Sequence, residues 1–201
     1  MAGLIGVTLS SKMVTNQNYQ ASVTGGNDKT KFYASLSYAK QNGIVDRSGL
    51  ERMTGNVNVS HRFGKFKLDA SSMISSMHQN SAMDGGASFA GAVSSAVWFL
   101  GPSNAIYDKN GNLLTKTDGA YNNGYNPIYE NQHMSDRTNT TRSYSTLALE
   151  WNIWDNLKLR EKVAYDYINS TEDVLWDKYC GNGSASNGVM QRTYNEWTTM
   201  N

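Results

Sequence analysis

The feature that most constrains this chain is a strict two-residue alternation of apolar and polar side chains. It is clearest in Asn18 to Tyr38, NYQASVTGGNDKTKFYASLSY. Tyr19, Ala21 and Val23 alternate with Gln20, Ser22 and Thr24. After Gly25-Gly26-Asn27-Asp28-Lys29, Phe32, Ala34, Leu36 and Tyr38 alternate with Tyr33, Ser35 and Ser37. A period of two sends successive side chains to opposite faces of a sheet. Gly, Asn and Asp between the runs supply the turn. The segment predicts a hairpin with strands at 17–25 and 30–42.

The pattern recurs along the chain. A third strand is predicted over Arg52 to Phe63, with Met53, Gly55, Val57, Val59 and Phe63 on one face. Gly64-Lys65 turns it into a fourth, Phe66 to about Met77. A fifth runs from Arg142 to Trp154, with Leu147, Leu149, Trp151 and Ile153 sharing a face. Asp155-Asn156 turns it into a sixth, Leu157 to about Asn169, and Arg192 to Asn201 begins a seventh. Residues 79–141 form a long connection in which 86–99 read as a short helix ended by Gly101-Pro102. Residues 172–191 form a second polar loop, and 1–15 carry no assignable pattern.

Two regularities narrow the fold class. The strands run to ten or more residues, beyond the usual ~5–6 and enough for a tilted membrane crossing of ~9–11. The connections alternate between tight (25–29, 64–65, 155–156) and long (43–51, 79–141, 170–191). Short turns at one end and long loops at the other are the habit of transmembrane barrels. Phe63, Phe66, Trp151 and Trp154 fall at the tight end, where an interfacial girdle of aromatics belongs. Alternation alone also fits a soluble β-sandwich. The pattern therefore predicts an all-β, antiparallel up-and-down transmembrane β-barrel fold with about six to seven strands. It further predicts a long loop carrying a short helix.

Composition removes other classes. Formal net charge is +1 over 201 residues, which gives no electrostatic case for a nucleic-acid partner. No apolar run approaches the ~20 residues of a membrane helix. The start, Met1 to Val7, lacks a basic region and a long apolar core, so it does not read as a signal peptide. Cys180 is the sole cysteine, so an internal disulfide and a thiolate zinc site are excluded. His61, His78 and His133 are scattered without metal-ligand spacing. Asp108-Lys109-Asn110-Gly111-Asn112 lacks the bidentate Glu of a calcium loop and reads as a turn. Gly25-Gly26 sits between strands, not before a helix, so it is not a phosphate cradle. No catalytic constellation, metal site or cofactor is expected, and the chain reads as a non-enzyme.

The run from Asn18 to Phe63 resembles the early barrel of SusC/RagA-type TonB-dependent outer-membrane transporters. Ser22 to Tyr33 is the most specific part, joined by Gln41-Asn42-Gly43-Ile44 and by Arg52 with Asn56-Val57-Asn58. Ala105-Ile106-Tyr107-Asp108, Asn110-Gly111, Asn126-Pro127 and Leu157-Lys158-Leu159-Arg160 with Tyr165-Asp166-Tyr167 follow in the family's order. The resemblance covers about 16–201; 1–15 lack the Trp-containing segment expected before the hairpin. It implies a transmembrane β-barrel segment whose six to seven strands are too few to close a barrel of the family's size, hence an open curved sheet, part of a Gram-negative outer-membrane importer of oligosaccharides or peptides. It also implies a SusD-like surface lipoprotein partner and contact with outer-membrane lipid. Coupling to the TonB complex would run through a plug domain absent from this sequence. Flat aromatic faces stack on sugars or anchor partners, so Trp98, Tyr107, Tyr121 and Tyr125 are the candidate substrate-binding residues, with Phe99 and Tyr129 beside them. Asn56, Asn58, Glu150, Lys158 and Arg160 are candidates to line a solute path. A soluble β-sandwich carbohydrate-binding module and a passive porin-like barrel are the alternative readings.

Overall fold

Each alternating run becomes a strand, and the tight turns pair it with the next. The structure, a computed structural model, describes residues 14–82, 100–101, 103–118, 124–179 and 181–201. Seven strands form one antiparallel sheet in the order β1 (Gln17–Gly26), β2 (Thr30–Asn42), β3 (Gly49–Phe63), β4 (Phe66–Ser81), β7 (Ser135–Trp154), β8 (Leu157–Trp176) and β9 (Val189–Met200). Two short strands, β5 (Ala105–Tyr107) and β6 (Leu113–Asp118), pair only with each other. They sit with a helix, α1 (Pro127–His133), inside the connection from β4 to β7. A 3-10 turn, Gly181–Ser186, lies between β8 and β9. Because β1 and β9 do not pair with each other, the sheet is open.

The expected strands are all present, several longer than the alternation indicated. β7 starts at Ser135, not Arg142, and β8 continues to Trp176, not Asn169. The added residues, Ser135-Asp136-Arg137-Thr138-Asn139-Thr140-Thr141, are polar on both faces and leave no period to read. They are held by continuous pairing with β4 and β8. The long connections shrink to 82–134 and 177–188. The helix in the first of them is found at Pro127–His133; the helix expected at 86–99 lies outside the described residues.

Register places the apolar residues in rows. Phe63, Phe66, Trp151 and Leu159 pair in one row, and Phe32, Val59, Ala70, Leu147 and Val163 in another. Leu36, Gly55, Ile74, Ser143 and Tyr167 form a third. On the same face, but toward the long connections, the rows turn polar. Lys40, Glu51, His78, Asn139 and Thr171 align, then Asn80, Arg137, Asp173 and Arg192. The apolar rows thus form a band of limited height. Phe66 to Ile74 rises roughly 27 Å along the strand at ~3.4 Å per residue, and tilting reduces this toward the ~25 Å of a membrane barrel.

Nothing among the described residues covers that band. Leu36 is 57% exposed, Ile74 58%, Leu147 51% and Tyr19 62%. A sandwich would bury this face against a second sheet; here the buried apolar side chains among the described residues are Pro127, Met134 and Ala148, of which Ala148 alone lies in the sheet. Tyr19, Leu36 and Leu147 share no core. Inside the band, Ser72 and Ser145 bond to each other at 2.9 Å, so two hydroxyls among apolar neighbours satisfy each other. At the lower edge the rings of His61, Phe63, Phe66 and Trp151 stack in sequence at 5.7, 5.5 and 5.8 Å.

The tight turns are staggered. The β1–β2 hairpin leaves the sheet at the row of Lys31, Ser60, Asp69 and Ala148, whereas β7 continues past that row to Trp154. Such a stagger is the shear that tilted barrel strands require. Gly26 closes the first turn at φ 147°, and a Cβ there would lie 2.2 Å from the Thr30 carbonyl oxygen. Gly64 closes the second at φ 54° with open space around it. Gly64→Ala is therefore expected to cost the left-handed backbone penalty alone, about 1–2 kcal/mol. Gly26→Ala is expected to cost more because the Thr30 backbone must move as well. Urea-unfolding midpoints of the two variants in detergent check the order.

Candidate functional site

Two regions outside the apolar band carry chemistry: the cluster of long connections and the polar face of the sheet. The first is built on Asn126, which is fully buried. Its Nδ2 donates to the carbonyls of Ile106 (2.9 Å) and Leu114 (2.7 Å), and its Oδ1 accepts from Ile128 N at 3.1 Å. Asn126 N donates to Thr115 O at 3.0 Å. One side chain thus caps α1 and ties it to the β5–β6 hairpin. Pro127 follows at the first helical position, where its missing N–H is no loss and its φ suits the helix. The pair Asn126-Pro127 was visible in the sequence; its partners, 12 and 20 residues upstream, were not.

The hairpin turn is fixed by Asp108. Its Oδ1 accepts from the backbone N–H of Asn110 and Asn112, both at 2.8 Å, and its Oδ2 from the Asn112 side chain at 2.9 Å. These bonds, that from the Asn112 side chain first, hold the carboxyl below its ordinary pKa. The segment that faintly resembles a calcium loop is therefore a turn whose acid is satisfied from within.

The connections also hold one another. Arg47, at φ 62°, donates from Nη1 to Asn131 O at 3.1 Å and to Gln132 O, capping the C-terminal end of α1. Asn131 Nδ2 returns a bond to Asp46 O at 2.9 Å. Tyr125 Oη meets Ser184 Oγ at 3.1 Å, which joins α1's leader to the 3-10 turn. A polar cleft of about 170 Å³ lies where Arg47, Asn131, Asp136 and Arg137 meet the ends of β4 and β7.

Of the four aromatics predicted from sequence, Trp98 and Tyr121 lie outside the described residues, as does Phe99. Tyr107 ends β5 and is 45% exposed. Tyr125 is half-buried, with Lys116 Nζ 5.0 Å from its ring centre. Both therefore belong to the small β5–β6–α1 unit. Tyr129 stacks on His133 at 3.9 Å, one helical turn along.

Sequence reasoning passed over Glu130. It is 2% exposed, and neither carboxylate oxygen has a hydrogen-bond partner. Burial raises its pKa to about 7, because the charged form loses water and gains nothing in exchange. The signal was faint: a Glu one turn into a helix is ordinarily read as a favourable dipole partner.

The polar face carries the expected lining. Asn56, Asn58, Glu150 and Arg160 fall on it by register with Ser35, Ser71 and Thr146. Lys158 follows two residues before Arg160 on the same side. Arg142 binds Asp166 through two bonds, 2.9 and 2.6 Å. Asp69 takes Lys67 at 2.9 Å and Arg160 at 3.8 Å, and Glu150 takes Lys158 at 3.8 Å. Among the described residues no three His, Cys, Asp or Glu side chains gather as a metal site.

No protein-family model matches the chain, and no curated protein matches it by sequence. Solved structures do. It is similar to the structure of the RagAB peptide transporter (TM-score 0.75, 16% identity), over 97% of this chain and 22% of that one. The RagAB peptide importer in its "closed-closed" state gives TM-score 0.71 at 16% identity, with the same coverage. In its "open-open" state the score is 0.68 at 17% identity, over 92% of this chain and 20% of that one. The chain has the fold of a segment of these transporters and spans about a fifth of their length.

Two outcomes follow for the loop cluster. Asn126→Ala removes three side-chain bonds to buried backbone groups at about 1 kcal/mol or more each. Amide exchange at Ile128, Glu130 and Met134 should accelerate at least tenfold, while the sheet amides stay protected. Glu130 makes the cluster pH-dependent. Below about pH 4.5 the carboxyl is protonated whether or not α1 is folded, so it costs nothing. Its folded pKa lies above the ordinary value of 4.5, at about 7, so stability falls as pH rises through that interval and the full cost is present above it. Exchange in α1 should therefore speed up between pH 5 and 8, after correction for intrinsic rates. Glu130→Gln should flatten that dependence, with His133 left intact.

Proposed function

We propose that the chain is part of the wall of a SusC/RagA-like, TonB-dependent importer in a Gram-negative outer membrane. The observation that carries this reading is the uncovered apolar band. It has limited height, an aromatic lower edge and sheared turns, and it backs onto a hydrophilic face. Such a sheet is unstable in water and suited to lipid on one side and a wet lumen on the other. The sequence resemblance and the likeness to the RagAB peptide transporter support the same reading.

In this arrangement the tight turns face the periplasm and the long connections face outward. The β5–β6–α1 cluster, with Tyr107 and Tyr125, is where solute meets the wall; Trp98 and Tyr121 belong to the same connection in sequence. A peptide or an oligosaccharide would present backbone amides or ring faces to these aromatics. A SusD-like lipoprotein would cover the same end, and energy would reach the transporter through a plug coupled to TonB. The open edges at β1 and β9 would pair with further strands of the transporter, as no sheet edge is left bare in lipid.

Insertion into lipid tests the reading. In phosphatidylcholine vesicles the chain should gain protection of β3, β4, β7 and β8 from protease. Leu147→Lys, which puts a cation at mid-band, should cost about 2–4 kcal/mol of insertion. The opposite-face change Thr146→Lys should cost much less. A chain that stays monodisperse and protected without detergent or lipid would overturn the membrane assignment. In a transporter carrying this segment, Tyr107→Ala should weaken solute binding several-fold while leaving insertion unchanged.

A further inference from the structure

The polar face is not electrically uniform. Toward the tight turns it carries six cations, Lys31, Arg62, Lys67, Lys158, Arg160 and Lys162, against two carboxylates, Asp69 and Glu150. Toward the long connections the same face is mixed, with Arg52 and Arg142 against Asp136, Asp166 and Glu172. The wall therefore has a positive lower half on its hydrophilic side, although the whole chain has a formal charge of only +1.

The ion pairs within the patch leave cations over. Asp69 is shared by Lys67 and Arg160, and Glu150 is approached by Lys158. Lys31, Arg62 and Lys162 have no ion pair among the described residues. Arg62 also stands directly opposite Lys67 in the ladder. Like charges facing each other across two strands are destabilising. The fold gains nothing from this arrangement, which points to a charge supplied from outside the sheet.

We infer that this patch docks an acidic polypeptide segment, one that presents several carboxylates to the hydrophilic face near the tight turns. Geometry favours a polypeptide over a small anion. The cations run from β2 to β8, four strand spacings of ~4.8 Å, or roughly 19 Å. The surface between them is an open groove of about 390 Å³ lined by Lys31, Asn58, Asp69, Arg160 and Lys162 among others. No point in it encloses a single phosphate or carboxylate with converging buried donors. A segment with carboxylates spaced over ~20 Å would meet Lys31, Arg62 and Lys162 together and relieve the Arg62–Lys67 opposition. Lysine stems and the Arg62 guanidinium are long enough to reach up from the sheet to such a segment. The inference rests on this face being turned away from lipid.

The test uses the 201-residue chain in a non-ionic detergent, with fluorescein-labelled hexaglutamate as probe and hexalysine and inorganic phosphate as controls. Hexaglutamate should bind with an affinity that falls steeply as salt is raised, and hexalysine should not bind. The triple variant Lys31→Gln/Arg62→Gln/Lys162→Gln should weaken hexaglutamate about tenfold, at up to one exposed pair per charge. Asp69→Asn/Glu150→Gln should tighten it. Lys40→Gln/Arg192→Gln, which removes cations from the opposite face, should change nothing. Far-UV circular dichroism checks that each variant keeps its strand content; the three glutamines replace side chains without ion pairs, so the sheet does not depend on them. Equal affinity in the triple variant and the unaltered chain would overturn the inference. So would displacement of hexaglutamate by inorganic phosphate at equal carboxylate and phosphate concentration, which marks a small-anion site. The readout is independent of vesicle insertion, so failure of the wall assignment and failure of the docking site are told apart.

Discussion

The seven-stranded sheet depends on the backbone hydrogen-bond ladder that sets strand register. The seven main strands have almost no buried side chains to hold them; Ala148 is the buried apolar residue among their described positions. What fixes the sheet is the continuous antiparallel pairing from Gln17–Lys40 at one edge to Trp176–Val189 at the other. In a sheet, a slip of one residue exchanges the faces. Here it would move Leu147 and Trp151 to the wet side and Glu150 and Thr146 into the apolar band. Register is therefore what separates the apolar face from the hydrophilic one.

The same ladder distributes polar groups. Within the band the hydroxyls of Ser72 and Ser145 satisfy each other, and above it Lys40 meets Glu51 at 2.5 Å. On the opposite face Arg142 is matched to Asp166 in a two-point contact, while Arg62 faces Lys67. Lys40 and Arg142 are thus each matched by a carboxylate, whereas Arg62 near the tight turns faces another cation. That contrast makes the cationic lower half informative: natural sheets that keep like charges opposed give up stability for something outside themselves.

The long connections follow a different logic. They cannot use the ladder, so they use single polar side chains aimed at backbone groups. Asn126 joins α1 to the β5–β6 hairpin, Asp108 closes the hairpin turn, and Arg47 caps the helix from the β2–β3 connection. Glu130 sits inside this unit without a partner. A buried acid with a pKa near 7 makes this cluster responsive to pH.

The alternation of Tyr19, Phe32, Val57, Phe66, Leu147 and Leu159 with polar neighbours sufficed for the strands, their order and the face each side chain occupies. A period of two is a local property of the chain, and tight turns at 64–65 and 155–156 leave pairing no freedom. The aromatic lower edge was legible too, since Phe63, Phe66 and Trp151 adjoin those turns. The polar ends of β7 and β8 were not, because Ser135 to Thr141 has no apolar period; only pairing with β4 holds it extended. Nor were Asn126, Arg47 and Glu130, whose roles depend on partners brought close by folding and, for Glu130, on the absence of one. The height of the apolar band, the stagger of the turns and the half-positive polar face belong to no single strand. They arise when seven registers are set side by side, which is why the tertiary structure alone decided them.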